Sequence, residues 1–174
     1  MRRSMQTATD YIGNVTFSDG VPEINSLYLE SLSLVERLHR RLLDVIKDEF
    51  ERRGGCEINA VQALLIYNIG DKELSASELR NRGYYLGANV AYNVKKLAEM
   101  GFLQQTRSRV DRRSMRITLT VKGREVHDVI AQVYEKHMRT IAPLGGISCD
   151  DFRGLNRALQ RLERYWGDQI RYKL

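Results

Sequence analysis

Cysteine is scarce in this sequence: Cys56 and Cys149 are the only two among 174 residues. They stand too far apart for a CxxC redox pair and belong to no metal-ligand cluster. Histidine is limited to His39, His127 and His137, and no two of them have the three- or four-residue spacing that sets a pair of imidazoles on one helix face. Neither a metal nor another cofactor is expected. No apolar run approaches the roughly 18 residues that a membrane helix needs, so a helical membrane span is excluded. The opening MRRSMQTATD has a basic flank but no apolar segment behind it. A secretory signal is therefore not expected, and the cytoplasm with unpaired thiols is. Also missing are a Gly-rich phosphate loop of recognised form, an HExxH and a GxSxG. An enzyme is not expected, and no residue stands out as catalytic.

What is present suits a folded protein. The chain is 43% hydrophobic and 29% charged, and its length should bury roughly 70% of the surface exposed when unfolded, with no need of a disulfide. Lys and Arg number 28 against 22 Asp and Glu, a formal charge of +6. That excess permits a polyanionic partner, and its position along the chain decides whether one is implied.

Residues 1–24 show little apolar periodicity and read as a flexible amino-terminal arm. A long helix is predicted from Asn25 or Ser26, with Pro22 just before it, to Gly54 and Gly55, on the recurrence of Leu27, Leu34, Val35, Leu38, Leu42, Val45, Ile46 and Phe50. Residues 25–53 would span about 43 Å, the length of a whole small domain. Helices follow over 58–69, with Asn59 as a cap, over 76–81, opened by Ser75 and Glu78 at capping-box spacing, and from Gly87 or Ala88 to Gly101. A hairpin spans FLQQTRSRV, DRRS and MRITLTVKG. Thr120 is placed to cap a helix over 121–139, and Asp150 or Asp151 to cap a last one along Phe152, Leu155, Leu159, Leu162, Trp166 and Ile170. The fold class is mainly α: a winged helix-turn-helix head over 58–120, preceded by a long dimerisation helix and connection over 25–57 and followed by carboxy-terminal dimerisation helices over 121–174.

Two helices joined by a short turn and followed directly by a hairpin can set the second helix in a major groove and the hairpin against the backbone or minor groove. The hairpin carries Arg107, Arg109, Arg112, Arg113 and Arg116 against one acid, Asp111. Like charges this close repel, folding alone does not require them, and phosphates would compensate them. If Val90, Val94 and Leu97 of the preceding helix face inward, then Ala88, Tyr92, Lys95, Lys96 and Glu99 face outward with Asn89 on the flank. Lys95 and Lys96 suit phosphates, Asn89 suits adenine and Ala88 a thymine methyl. Tyr92 either meets a phosphate or base edge or packs on the hairpin.

The run SASELRNRGYYLGANVAYNVKKLAEMGFL, followed by DRRSMRITLTVKG, resembles the MarR family of bacterial winged helix-turn-helix regulators. Asp111 and Arg113 match its Asp-x-Arg wing element, and Leu119, Thr120 and Gly123 match its Leu-Thr-x-x-Gly run. Gly83, Tyr84, Tyr85 and Tyr92 depart from the usual pattern. The resemblance implies a homodimer built by the first and last helices and a roughly palindromic double-stranded DNA operator. It implies that Asp111 orients the wing and Arg113 reaches the minor groove, which leaves Arg109 and Arg112 as phosphate contacts. Many members are repressors whose DNA binding is altered by a small, often aromatic ligand, and others respond to oxidation.

The apolar stripes on the helices over 25–53, 121–139 and 151–172 independently call for a two-fold partner, the alternative being that all three close a monomeric bundle. An effector cleft is expected at the hinge between dimer helices and reading head, with Tyr28, Leu32, Tyr67 and Leu74 as its candidates and an aromatic or anionic molecule as its ligand. Two alternatives remain open: a winged-helix module that binds protein instead of DNA, and a redox-responsive regulator acting through Cys56.

Overall fold

A computed structural model describes the backbone of residues 21–81, 87–107 and 115–173. The amino-terminal arm to residue 20, the Gly83 to Tyr85 turn and the wing tip carrying Arg109, Asp111, Arg112 and Arg113 lie outside the described residues. The described elements are α1 (Val21–Arg52), α2 (Ala60–Ile69), β1 (Leu74–Ser75), α3 (Ala76–Asn81), α4 (Gly87–Glu99), β2 (Leu103–Arg107), β3 (Met115–Leu119), α5 (Val121–Thr140) and α6 (Cys149–Tyr172).

Two units make up the chain, with their boundary inside α1: one ends at Asp44 and the other runs from Val45 to Leu174. In the first, α1 begins four residues earlier than expected at Asn25. Pro22 lies in its first turn, where the missing N–H is not needed by the helix. Ile24, Leu27, Leu29, Leu34, Val35 and Leu38 are all exposed there.

The second unit holds the core. Asn59 caps α2 with its side chain, accepting from the Gln62 backbone N–H at 2.9 Å, while the Gln62 side chain accepts from the Asn59 N–H at 3.2 Å. Gly70 ends the helix at φ +55°, a conformation that favours glycine. The helix is apolar nearly all round, as the sequence implies, and Ala63, Leu64, Leu65, Ile66 and Ile69 are buried. It packs on α5. The sheet has the order β1-β3-β2, both pairings antiparallel. Strand β1 is absent from the sequence reading: two residues are too few to show a period.

Thr120 caps α5 as expected, its Oγ1 accepting from the Gly123 N–H at 3.1 Å and donating to the Gly101 carbonyl at 2.7 Å. Gly123 is there because the helix start passes close to the Phe102 carbonyl oxygen, leaving no room for a Cβ. The cap of α6 corrects the sequence reading. It is Ser148, not Asp150 or Asp151; Asp151 is the reciprocal partner three residues on, accepting from the Ser148 N–H at 2.9 Å and Oγ at 2.6 Å. These bonds hold the Asp151 carboxyl below its ordinary value. No residue of α6 is buried within the single chain.

Candidate nucleic-acid interface

Helix α4 is oriented by its apolar side. Val90, Val94 and Leu97 are buried, which leaves Tyr92, Lys95, Lys96 and Glu99 exposed, as the helical period requires. Tyr92 is 64% exposed, so among the described residues it is not packed against the hairpin stem. Lys95 lies 3.8 Å from Glu99, a loose surface pair that a phosphate can displace. Ala88 and Asn89 fall in the first turn of α4, but their side chains lie outside the described residues. A contact missed from sequence steadies this helix: the Gln62 Nε2 of α2 donates to the Asn93 Oδ1 of α4 at 3.1 Å. Gln62 is nearly fully buried, and no sequence period pairs residues this distant.

Strands β2 and β3 form the stem of the wing, with Arg107 opposite Met115 and Thr106 opposite Arg116. Arg107 is exposed and available to a phosphate. Arg116 is not simply a free cation. Its Nη1 donates to Glu78 Oε2 of α3 at 2.9 Å, so a carboxylate from outside the hairpin compensates one of the five arginines that the sequence reading assigned to phosphates. The wing base has a further attachment invisible in the sequence. Lys122 Nζ lies 4.2 Å from the centre of the Phe102 ring and 2.8 Å from Glu57 Oε2.

The four effector candidates have different surroundings. Tyr28 is partly exposed and Leu32 half-buried, both in the first unit. In the second, Tyr67 stacks on His127 at 5.1 Å between ring centroids and meets Tyr134 edge-on at 4.8 Å. Burial and the neighbouring Tyr67 raise the Tyr134 hydroxyl above its usual range. Leu74 is 3% exposed and paired across the sheet with Ile117. It is a core residue, in a strand too short to show a period in the sequence. A cleft of about 180 Å³ lies between the end of α1 and α5, lined by Val45, Glu49, Arg52, Arg53, Gln132, Val133, Lys136 and His137. Arg53 spans it, donating to Glu49 at 2.8 Å and to Gln132 at 3.0 Å. The bond from Arg53 holds the Glu49 carboxyl below its usual range. Both cysteines are exposed thiols. Among the described residues no group of three or more His, Cys, Asp or Glu side chains could hold a metal ion, and no helix is long and apolar enough to cross a membrane.

Comparison with known proteins agrees with this geometry. Residues 58–123 match the model of the winged helix DNA-binding domain. The chain is 34% identical over 148 residues to the exopolysaccharide II synthesis transcriptional activator ExpG of Rhizobium meliloti (strain 1021), covering 83% of this chain and 74% of that protein. Among solved structures, Streptococcus pneumoniae FabT in complex with DNA superimposes with a TM-score of 0.60 at 21% identity, covering 81% of this chain and 98% of that one. Staphylococcus aureus MarR in complex with salicylate and kanamycin gives 0.61 at 19% identity, with 87% and 96% covered. These likenesses and the helix-helix-wing geometry define a winged helix-turn-helix DNA-binding protein. Within that class, the chain belongs to the MarR family of transcriptional regulators.

Proposed function

We propose that this regulator works as a homodimer that reads a roughly palindromic duplex, inserting α4 into successive major grooves and laying the wing along the flanking backbone. The observation that carries this reading is the exposed face of α4: Tyr92, Lys95 and Lys96 stand in solvent opposite the buried Val90, Val94 and Leu97. An aromatic and two lysines on one exposed helix face match phosphate and base-edge contact. Ala88 and Asn89, by their place at the start of α4, supply base contacts. Arg107, Arg109, Arg112 and Arg113 supply backbone and minor-groove contacts, with Asp111 orienting the wing. The exposed apolar residues of α1 and α6 are assigned to the partner subunit.

DNA affinity is tuned by a small aromatic or anionic ligand. Salicylate, which Staphylococcus aureus MarR holds in its complex, is one aromatic anion of this kind. Within the second unit, Tyr67 with His127 and Tyr134 is the aromatic surface to test, and the buried Leu74 stays a candidate. Tyr28 and Leu32 remain candidates within the first unit. The protein acts in the cytoplasm, where its duplex target lies. ExpG is an activator, so activation stands beside repression as the sign of regulation to test.

Selection of duplexes from a random pool tests the reading, followed by affinity measurement across a salt series and then with small aromatic acids present. The expected result is a two-fold symmetric site and a loss of about 10³-fold or more in affinity between 50 and 200 mM salt. Asn89→Ala should mainly relax base preference, and Arg113→Ala should weaken binding strongly while leaving the dimer intact. A chain with no salt-dependent duplex affinity would be a protein-binding module instead.

A further inference from the structure

We infer that Glu78 is a positioning residue for DNA binding, holding Arg116 as a strut between α3 and the wing instead of leaving it to a phosphate. The inference rests on the DNA-binding reading above but assigns Arg116 a different role within it.

The geometry is a closed circuit. Strand pairing sets Arg116 of β3 directly across from Ser75 of β1. Helix α3 starts at the next residue, and its first turn brings Glu78 back over Ser75. One carboxylate oxygen, Glu78 Oε2, then gathers three donors among the described residues: the Ser75 N–H at 2.7 Å, the Ser75 hydroxyl at 2.7 Å and Arg116 Nη1 at 2.9 Å. The backbone N–H of Glu78 in turn donates to Ser75 Oγ at 3.2 Å. The same carboxylate thus caps α3 and anchors the wing stem, so α3 cannot tilt without pulling on β3. Since α3 also packs on α4, the bond links the wing to the reading helix.

Charge-assisted bonds to one oxygen are stronger and more directional than a solvated surface pair. Arg116 is also only 30% exposed, against 47% for Glu78. A guanidinium held this way gains little by moving to DNA, because it would leave the carboxylate facing the phosphates. What the pair supplies is preorganisation: the wing meets the duplex already at the height set by α3.

The two roles give opposite results in the full-length chain. The probe is a duplex selected by the wild-type protein, with affinity read by fluorescence anisotropy across a salt series. A strut predicts that Glu78→Gln and Arg116→Ala each weaken binding about fivefold, and that the double variant is also about fivefold weaker instead of about 25-fold, since both remove one interaction. It also predicts an unchanged dependence of affinity on salt, because no phosphate contact is lost. A phosphate contact predicts that Arg116→Ala lowers the salt slope by about 1 and that Glu78→Gln strengthens binding by releasing the guanidinium. Either of those two results overturns the inference, as does full additivity of the two substitutions. Glu78→Gln keeps an acceptor for Ser75. Thermal unfolding of each variant separates lost positioning from lost folding, and should Glu78→Gln fail to fold, the salt slope of Arg116→Ala decides alone. Absence of any duplex binding by the wild-type chain would remove the DNA-binding reading itself, and the strut with it.

Discussion

Gly123 is held to glycine by a single neighbour. A Cβ at this position would press into the Phe102 carbonyl oxygen, where the turn of β3 into α5 crosses the start of β2. Gly123→Ala should therefore destabilise the chain by about 1–3 kcal/mol, the range for forced overpacking, measured by denaturant unfolding. At the exposed face of α4 the expectation is reversed. Lys96 is solvated, and its removal should cost almost nothing in stability. Lys96→Ala should instead weaken binding to all duplexes alike and reduce the salt slope by about 1, read from affinities over a salt series. Both residues stood out in the sequence, Gly123 within a motif and Lys96 by helical angle. The Phe102 carbonyl against Gly123, the Gln62 to Asn93 bond and the Glu78 to Arg116 pair did not. Each joins residues far apart in the chain, and neither spacing nor composition carries such information.

Among the elements, α6 shows how local rules and tertiary placement separate. Its 24 residues carry a regular apolar stripe, and its capping box is closed by Ser148 and Asp151. Ser148→Ala should lower stability by about 1 kcal/mol, checked by thermal unfolding. The same box has a pH signature. The Asp151 carboxyl is held below its ordinary 3.8 by the Ser148 hydroxyl and N–H. A depressed folded-state pKa means that its stabilising contribution is complete above 3.8 and is lost as pH falls through the folded value. The stability difference between wild type and Asp151→Asn should thus be present at neutral pH and vanish in strong acid. An undiminished difference in acid would show that ionisation of Asp151 contributes nothing. The caps at Asn59 and Thr120 and the hairpin stem were legible because they follow local patterns, whereas the start of α1 and the Ser148 cap of α6 were misplaced by a few residues. Strand β1 was not legible, being two residues long and defined only by its pairing to β3.

For the whole molecule, the decisive feature is the apolar surface one chain leaves open. Leu155, Leu159 and Trp166 of α6 are each more than a third exposed, as are Leu27, Leu34 and Leu38 of α1. Surfaces of this kind mark subunit contacts. A two-fold partner would cover them and set two copies of α4 about 34 Å apart, one turn of DNA. Leu155→Glu combined with Leu159→Glu should give a chain that sediments as a monomer and binds a palindromic duplex far more weakly, with its winged core still folded. A dimer that survives both substitutions would place the interface elsewhere.

Sequence alone determined the order of helices, the caps at Asn59 and Thr120, the inward and outward sides of α4 and the basic character of the hairpin. All of these depend on residues a few positions apart, where the helical and strand periods operate. The tertiary structure decided the rest: that Leu74 belongs to the core, that Glu78 engages Arg116, and that Tyr67 lies against His127 and Tyr134. Those outcomes are set by which distant segments pack together, and packing is a property of the folded chain as a whole.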